Sequence, residues 1–500
     1  MTRFKDKIIA AGMVFSMVFG LVACKGSSDQ KQTDPTQAVT QAESESQTEE
    51  KEITVMYDSS IISKDDSTNE FYDQIQKLTG LKIQWKPVEH NDYGKTLESV
   101  FSSDETIPDI VLLPENYYKI YAYDGYLWNM SQAWDKSQTK NNYKLNDDSI
   151  AFIDSLKTSG SDGTPGLYGF SPVRPDENVT VIKKSWLTKA GIDPLVFQNG
   201  QIDYNTYYGY LKTMSSVNLA PAVKVPSIIA DDAPYTQYLP EFFQQAKFSF
   251  YKNTVGQYAD GFSEKEMRDS LERIKQAVDE NIISVESGSF NEYTDNFTGT
   301  DTKKTSGAIS FKTGAGLSQL KEKLAQNQDE LIEAAPVKEN GAYTENAMSY
   351  WCITTAAKNP QELFDTFIDT MLDNGETQQV WETTAGIISP SAVLNKEEKK
   401  SDNTDSSREN ENTDKADNKT DTGTLTDDSS VYMSNTCENI PATKEYTSDI
   451  LKINEIRKYV VNQIVSGKMS IDDGMSYYQN QAGTLVDEVL KSLNEGKSVQ

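Results

Sequence analysis

The sequence predicts an α/β fold of two lobes, and three observations support that prediction. Strand-like and helix-like patterns alternate between residues 53 and 113, and a second alternating region follows a glycine-rich segment near residue 165. The 500-residue chain is also longer than one usual domain. A strand, helix and strand in succession require right-handed crossovers, so this alternation builds an open parallel sheet with helices on both faces.

The first alternating region contains strand, helix, strand, helix and strand, in the order 53–57, 71–78, 81–85, 97–101 and 109–113. Gly80 ends the first helix, because glycine readily adopts the left-handed conformation found at helix ends. Ligands of such sheets bind beyond the carboxyl ends of the strands. The candidates by position are therefore the residues that follow each strand: Tyr57, Asp58, Glu89, Glu115 and Asn116.

A cluster of glycine residues between Ser159 and Gly169 predicts a crossing between the lobes. A second lobe begins there, and the chain has further predicted elements. They are a strand at 179–182, a helix at 185–190, a helix opened by the capping box Ser263-x-x-Glu266, a strand at 308–311, a strand at 347–353, a helix from Asn359-Pro360, and two last helices at 453–464 and 470–493. We interpret the loop between Lys312 and Gly316 as a helix start facing a cleft, since it lacks the residues of a phosphate-binding loop.

The N-terminus carries the pattern of a bacterial lipoprotein. Basic residues and an apolar run from Ile8 to Val22 precede the lipobox Leu21-Val22-Ala23-Cys24. We expect residues 1–23 to be a signal peptide, Cys24 to carry acyl chains such as palmitate, and the polar residues 24–52 to form a disordered tether. An uncleaved membrane helix is the alternative, but a span needs about 20 apolar residues, more than the run from Ile8 to Val22 provides. The expected location is the outer face of the cell membrane, where the lipid anchors the protein.

The chain is strongly acidic, with a formal charge of -28. Such a charge repels nucleic acid and anionic lipid, so we expect no nucleic-acid partner and membrane contact only through the lipid. Residues 395–430 form a block of Asp, Glu, Lys, Asn, Ser and Thr that predicts an acidic disordered insertion. A metal-binding acidic tract is the alternative, but the block has no regular ligand spacing.

The small number of histidine and cysteine residues limits the kinds of catalytic or metal site that the chain can form. His90 is the only histidine, which disfavours zinc sites and nucleophiles that depend on histidine, and we expect it to be a surface loop residue. Cys352 and Cys437 remain after Cys24, and the sequence does not decide whether they pair. We expect no enzyme activity, no cofactor and no metal.

Several segments together resemble a known family. They are Pro108-Asp109-Ile110-Val111, Leu167-Tyr168-Gly169-Phe170, the stretch from Lys183 to Gly191, Gly307-Ala308-Ile309-Ser310-Phe311, Tyr350-Trp351-Cys352-Ile353 with Lys358-Asn359-Pro360-Gln361-Glu362, and the tail from Val465 to Asp473. In this order, behind a lipobox, they resemble the lipid-anchored extracellular solute-binding proteins of family 1, the sugar-binding subunits of ABC importers.

The resemblance implies a two-lobed fold of the type II periplasmic-binding-protein kind with a cleft between the lobes. It implies an N-terminal lobe of residues 53–168 plus 350–390 and a C-terminal lobe of residues 169–349 plus 430–500. The implied function is capture of a carbohydrate, with an oligosaccharide as the expected ligand. The protein would deliver this ligand by lobe closure to the transmembrane subunits of an ABC permease. The implied protein is a monomer. Some relatives carry a calcium loop, but the corresponding residues 202–211 are rich in tyrosine here, so we expect no calcium.

By family position, aromatic residues would stack on the sugar, and charged and amide groups would bind its hydroxyls. The implied ligand-binding residues are Tyr57, Asp58, Glu115, Asn116, Arg174, Asn178, Asp232, Tyr235, Lys312, Tyr350 and Trp351. Three alternatives stay open. They are a binding protein for a peptide, a polyamine or ferric ion, with Tyr117-Tyr118 as metal ligands; a ligand sensor or adhesin without transport; and a glycoside hydrolase using Asp58, Glu115 and Asp232.

Overall fold

The computed structural model describes residues 52–59, 67–103, 107–171, 178–198, 202–217, 225–230, 232–286, 290–299, 306–312, 315–335, 337, 343, 348–372, 394, 396–398 and 440–495. All of them belong to the unit Glu50–Gln500. The expected signal peptide, Cys24, Arg174 and Cys437 lie outside the described residues. Within the described ranges, no helix combines the length and the apolar character needed to cross a bilayer.

The first part of the chain alternates between strands and helices. The elements are β1 (Glu52–Asp58), α1 (Ser67–Thr79), β2 (Lys82–Val88), α2 (His90–Phe101), β3 (Ile110–Pro114), α3 (Glu115–Tyr123), α4 (Ser131–Asp135), α5 (Gln138–Asn142), β4 (Tyr143–Leu145), α6 (Asp147–Ser155), β5 (Thr158–Ser159), β6 (Pro165–Gly166) and β7 (Gly169–Phe170). Gly80 has a φ of 67° and follows the last residue of α1, as its position predicts. The strand and helix order predicted for residues 53–113 is confirmed.

The middle part of the chain continues from residue 178 to residue 334. Its elements are β8 (Asn178–Lys183), α7 (Lys184–Ala190), α8 (Leu195–Gln198), α9 (Tyr204–Val217), β9 (Ser227–Ile229), α10 (Pro240–Phe243), β10 (Phe250–Lys252), β11 (Tyr258–Asp260), a 3₁₀ turn (Gly261–Ser263), α11 (Lys265–Asp279), β12 (Ser284–Glu286), α12 (Phe290–Thr298), β13 (Ala308–Lys312), α13 (Ala315–Gln326) and β14 (Leu331–Ala334). The predicted capping box at Ser263 is wrong, because Glu264 occupies the N-cap and the Ser263 hydroxyl donates to Asp260.

The last part of the chain holds β15 (Ser349–Ile353), α14 (Pro360–Leu363), a π-helical turn (Phe364–Ile368), α15 (Asp369–Leu372), β16 (Lys396–Glu398), α16 (Lys444–Val465) and α17 (Ile471–Glu495). Pro360 is in the first turn of α14, as predicted, because that position needs no backbone N–H donor. The predicted cap of the last helix also forms, since the Asp473 N–H donates to the Ser470 hydroxyl at 3.1 Å. Residues 396–398, inside the predicted insertion, pair with β4.

A five-stranded sheet in the order β2-β1-β3-β15-β7 forms the centre of the first lobe. β1 is parallel to β2 and β3, whereas β15 is antiparallel to β3 and β7. The four residues Ile110, Val111, Leu112 and Leu113 of β3 are all buried, as expected for a strand covered on both faces. The Asp109 carboxylate accepts from the Thr54 backbone N–H at 2.8 Å and so ties β3 to β1.

The second lobe contains a three-stranded antiparallel sheet, β13-β8-β14, and a parallel pair, β9 and β12. A bridge between Pro226 and Ala308 connects the pair to β13. The residues 202–211, expected to lack a calcium loop, include the first turns of α9. Cys352 of β15 in the first lobe is a free, fully buried thiol, and this burial raises the thiol pKa well above its usual value.

A buried ion pair attaches the last two helices to the second lobe. Arg457 of α16 is fully buried, and its Nη2 lies 2.6 Å from Asp260 Oδ1 at the end of β11. The Tyr478 hydroxyl of α17 donates to Asp260 Oδ2 at 3.0 Å. The rings of Phe248, Phe250, Phe262 and Tyr478 lie 4.8 to 5.9 Å from the guanidinium. One carboxylate therefore holds both C-terminal helices.

We predict that Arg457→Met lowers the free energy of unfolding by about 3–5 kcal/mol, because it leaves the buried Asp260 carboxylate without its counter-charge. Urea denaturation at neutral pH measures this loss. The matched control is Arg268→Gln, which breaks an exposed ion pair between α11 and Asp472 of α17 and should leave the denaturation midpoint unchanged. Equal midpoints for both variants would contradict the prediction.

Candidate functional site

One histidine connects segments from the two lobes. His90 is the first residue of α2, directly after β2, and its Nδ1 lies 2.5 Å from Oδ2 of Asp58, the last residue of β1. Its Nε2 lies 3.2 Å from Oδ1 of Asp232, which follows β9 in the second lobe. We call this set of contacts the Asp58–His90–Asp232 bridge. All three residues lie at or shortly after the carboxyl ends of strands, where ligands of α/β sheets bind.

The bridge is charged at neutral pH. Hydrogen bonds from His90 to Asp232 and Asp58 raise the pKa of the imidazole from 6.5 to about 10, although burial opposes the shift. Burial by itself would raise the pKa of Asp232, but hydrogen bonds from His90 and Tyr238 bring it below its usual value. An imidazolium therefore lies between two carboxylates.

Asp232 has hydrogen-bond donors from its own loop in addition to His90. The Tyr238 hydroxyl donates to Asp232, and Gln237 Nε2 donates to the same oxygen at 3.1 Å. Burial and the Asp232 charge raise the pKa of Tyr238, so its hydroxyl keeps the proton that it donates. These donors orient the carboxylate before any solute arrives.

His90 is at the surface, as expected, with 51 % of its side chain exposed, but it begins a helix and does not lie in a loop. The sequence carries no local signal for its role, because its partners are 32 and 142 residues away. The only feature of the sequence that indicated this region was its position beyond the carboxyl end of a strand, which selected the neighbouring Glu89 as a candidate.

Tyr57 lies inside the first lobe and not on an open surface. It is 2 % exposed, its hydroxyl hydrogen-bonds to the Tyr72 hydroxyl, and its ring meets the edge of Trp85 at 6.0 Å. Tyr72 in turn stacks on Trp85 at 4.7 Å. Tyr57 is therefore an interior residue, and its ring is not open to solvent for stacking on a sugar.

Glu115 pairs within its own helix, and Asn116 contacts the protein's own C-terminal region. Glu115 pairs with the buried Lys119 at 2.7 Å. Asn116 Oδ1 accepts from the Tyr446 hydroxyl of α16 at 3.2 Å, and Lys119 Nζ lies 5.8 Å from the centre of the Tyr446 ring. These residues therefore link α3 to α16.

Tyr350 and Trp351 are interior residues of β15, 2 % and 1 % exposed. Tyr350 stacks on Tyr118 with ring centres 4.0 Å apart, and Trp351 meets Phe367 edge-on at 5.7 Å. They fix the middle of the first sheet instead of joining Asp58 and Asp232.

Tyr235 shapes the loop that presents Asp232. It has a φ of 69°, an uncommon value for a residue with a side chain. Its hydroxyl lies within hydrogen-bond distance of the Ala230 carbonyl, at 2.7 Å, and of the Asn462 side chain of α16. These bonds close the loop on both sides of Asp232 and hold it against α16.

Lys312 and Asn178 lie opposite each other at one end of the β8–β13 pairing. The register therefore brings these two predicted ligand-binding residues together along the backbone. Arg174 lies outside the described residues.

Tyr117 and Tyr118 do not converge on a common point. The Tyr118 hydroxyl donates to the Leu156 carbonyl at 2.6 Å, and the Tyr117 hydroxyl donates to Glu98 at 3.0 Å. Within the described part of the chain, no cluster of three or more His, Cys, Asp or Glu side chains is arranged to hold a metal ion. Tyr117 and Tyr118 are therefore not placed to bind one ferric ion together, as that alternative required.

No family model matches the chain, and no curated protein matches its sequence. Solved structures do match its fold. One is the ABC-transporter-associated binding protein of B. animalis subsp. lactis Bl-04 in complex with β-1,6-galactobiose, with a TM-score of 0.57 and 15 % identity over 88 % of this chain and 98 % of that one. A second is the GacH receptor of Streptomyces glaucescens, studied with acarbose, with a TM-score of 0.58 and 13 % identity over 88 % and 99 %.

A third is an ABC-transporter solute-binding protein of Thermotoga lettingae bound with α-D-tagatose, with a TM-score of 0.59 and 11 % identity over 88 % and 100 %. The chain has the fold of an ABC-transporter solute-binding protein. The expected α/β architecture with two lobes of the type II periplasmic-binding-protein kind is confirmed. The Asp58–His90–Asp232 bridge connects segments of the two lobes of this fold.

Proposed function

We propose that this protein captures a carbohydrate, an oligosaccharide, outside the cell and delivers it to an ABC permease by closure of its lobes. The observation that carries the proposal is the likeness in fold, over 88 % of the chain, to proteins solved with β-1,6-galactobiose, acarbose and α-D-tagatose. The partners would be the carbohydrate and the transmembrane subunits of the permease.

The geometry of the bridge supports a polar, neutral solute. Sugar hydroxyls need oriented acceptors, and Asp58 and Asp232 are carboxylates held by protein donors at the strand ends. The two lobes approach within hydrogen-bond distance at His90, which is consistent with closure of a cleft at this point.

The same geometry supports binding over hydrolysis. A glycosidase needs one carboxylic acid that holds a proton for the leaving group and a second carboxylate across the bond. Here the pKa of Asp232 lies below its usual value, and Asp58 and Asp232 contact a single imidazole. We therefore propose a binding protein that is not an enzyme.

A cationic solute such as a polyamine is the second candidate, since two carboxylates meet at the site. The protein supplies its own cation there, because His90 is protonated at neutral pH. A polyamine would have to compete with this imidazolium, whereas a neutral sugar would not. The bridge thus favours the carbohydrate.

We further propose that the protein is a monomeric lipoprotein on the outer face of the cell membrane. The lipobox ending at Cys24 supports the acyl anchor, and the polar residues 24–52 support a tether. Such an anchor would keep the receptor near its permease.

We predict that calorimetric titration of the purified protein with a panel of mono-, di- and trisaccharides gives binding heat with at least one of them. Asp58→Asn should weaken that binding roughly tenfold or more, because loss of a hydrogen bond to a charged group costs about 1.5–3 kcal/mol. The control Asp135→Asn removes an exposed carboxylate paired with Lys140 and should bind like the wild type.

The same titrations include spermidine and ferric citrate, which test the polyamine and ferric-ion alternatives. Heat from these two alone would overturn the carbohydrate assignment. Release of reducing sugar from an oligosaccharide would overturn the assignment as a non-enzyme.

We predict that Cys24→Ser releases the protein from cells, because the acyl acceptor is lost, and leaves its solute affinity unchanged. Immunoblotting of membrane and medium fractions measures the release, and calorimetry measures the affinity. Cys437→Ser is the matched control and should stay with the membrane. Reduced affinity of the purified Cys24→Ser protein would contradict this prediction.

A further inference from the structure

The geometry points to His90 as a proton-dependent latch between the lobes, whose cation joins Asp58 of the first lobe to Asp232 of the second. This inference deepens the proposed function and rests on it, because it concerns the same cleft. The arrangement in which both contacts are made is called the latched arrangement below.

The two contacts of His90 differ in kind. Asp58 ends β1 and His90 follows β2, and these strands are paired along their whole length in one sheet. The contact between Asp58 and His90 therefore belongs to the first lobe. Asp232 follows β9, which pairs with β12 in the second lobe. Separation of the lobes removes this second contact and leaves the first.

The charged and titratable groups on the first-lobe side favour a proton on His90. Asp58 is the direct partner, with only 10 % of its side chain exposed. Glu89 is exposed and adjacent in sequence. Tyr93, one turn further along α2, is buried and close enough to interact with the Asp58 charge, and burial keeps its hydroxyl protonated. The helix dipole of α2 opposes a cation at its first residue, so the carboxylates must supply the stabilisation.

On the second-lobe side, Asp232 is the direct partner and Tyr238 and Gln237 donate to it. Lys458 of α16 lies within electrostatic reach of Asp232 and lowers its pKa further. Part of the lowering of the Asp232 pKa therefore comes from Tyr238 and Lys458 and not from His90. The second lobe presents a side-chain oxygen of Asp232 to His90.

The sign of the pH dependence follows from these contacts. The pKa of His90 is about 10 when both carboxylates are in contact and falls toward its usual 6.5 when Asp232 is withdrawn. The latched arrangement binds the proton more tightly, so protonation stabilises it. This stabilisation is complete below the pKa of the separated form and is lost as the pH rises through about 10.

The experiment uses the fact that His90 is the only histidine in the chain. The full-length protein is labelled with ¹³C,¹⁵N-histidine, and the single imidazole signal is followed by NMR from acidic to alkaline pH. We expect a titration midpoint near 10 in the wild type. In Asp232→Asn the midpoint should fall by roughly one to three units, the size expected when a close opposite charge is lost. A wild-type midpoint near 6.5 that Asp232→Asn does not move would overturn the latch.

A second measurement tests whether the contact holds the lobes together. Small-angle X-ray scattering of the protein without solute should give a larger radius of gyration for His90→Gln than for the wild type at neutral pH. Lys95→Gln, which removes an exposed charge from the same helix, should match the wild type. Equal radii for His90→Gln and the wild type would overturn the latch even if the imidazole titrates as expected.

Failure of the latch and failure of the proposed function are distinguishable. Sugar binding with a normal histidine midpoint would leave the function standing and remove the latch. A shifted midpoint and a compact wild type without heat from any sugar would leave the latch standing and remove the carbohydrate.

Discussion

Strand β15 inserts between β3 and β7, so the first sheet is completed only after the chain has passed through the second lobe. The space for this strand is tight, because a Cβ on Gly169 of β7 would lie 2.7 Å from the Cys352 sulfur of β15. The strand that leaves the first lobe and the strand that returns to it are therefore neighbours. Two of the connections between the lobes thus begin or end at this pair of strands.

The position of the candidate site follows from that arrangement. The parallel strands β1 and β2 end on the same edge, which places Asp58 beside His90. The loop after β9 brings Asp232 to the other side of the imidazole. His90 lies between the carboxyl groups of Asp58 and Asp232, and the contact with Asp232 exists only when the lobes are together. The electrostatic energy of the imidazolium therefore depends on whether the lobes are closed.

The parts of the fold that the sequence predicted correctly are those with local causes. The periodicity of residues 53–113, Gly80 after α1 and the Ser470 cap depend on neighbours within a few residues. The capping box at Ser263 failed because Asp260, held by Arg457 from 197 residues away, takes the Ser263 hydroxyl. His90 was missed for the same reason, since its second partner arrives only when the lobes approach. Asp58 was selected by its position at a strand end, and Asp232 was selected by the family resemblance. Neither argument identified His90 as the residue that both aspartates contact.

The C-terminal helix α16 sets the position of the second half of the bridge. Asn462 of α16 contacts the Tyr235 hydroxyl in the loop that carries Asp232, and Tyr446 of the same helix donates to Asn116 of α3. The helix is itself fixed by Arg457, whose burial against Asp260 leaves little freedom to slide. The helix therefore contacts the first lobe through Asn116 of α3 and the Asp232 loop through Tyr235. One helix, fixed by the buried Arg457–Asp260 ion pair, thus supports the loop that presents Asp232 to His90.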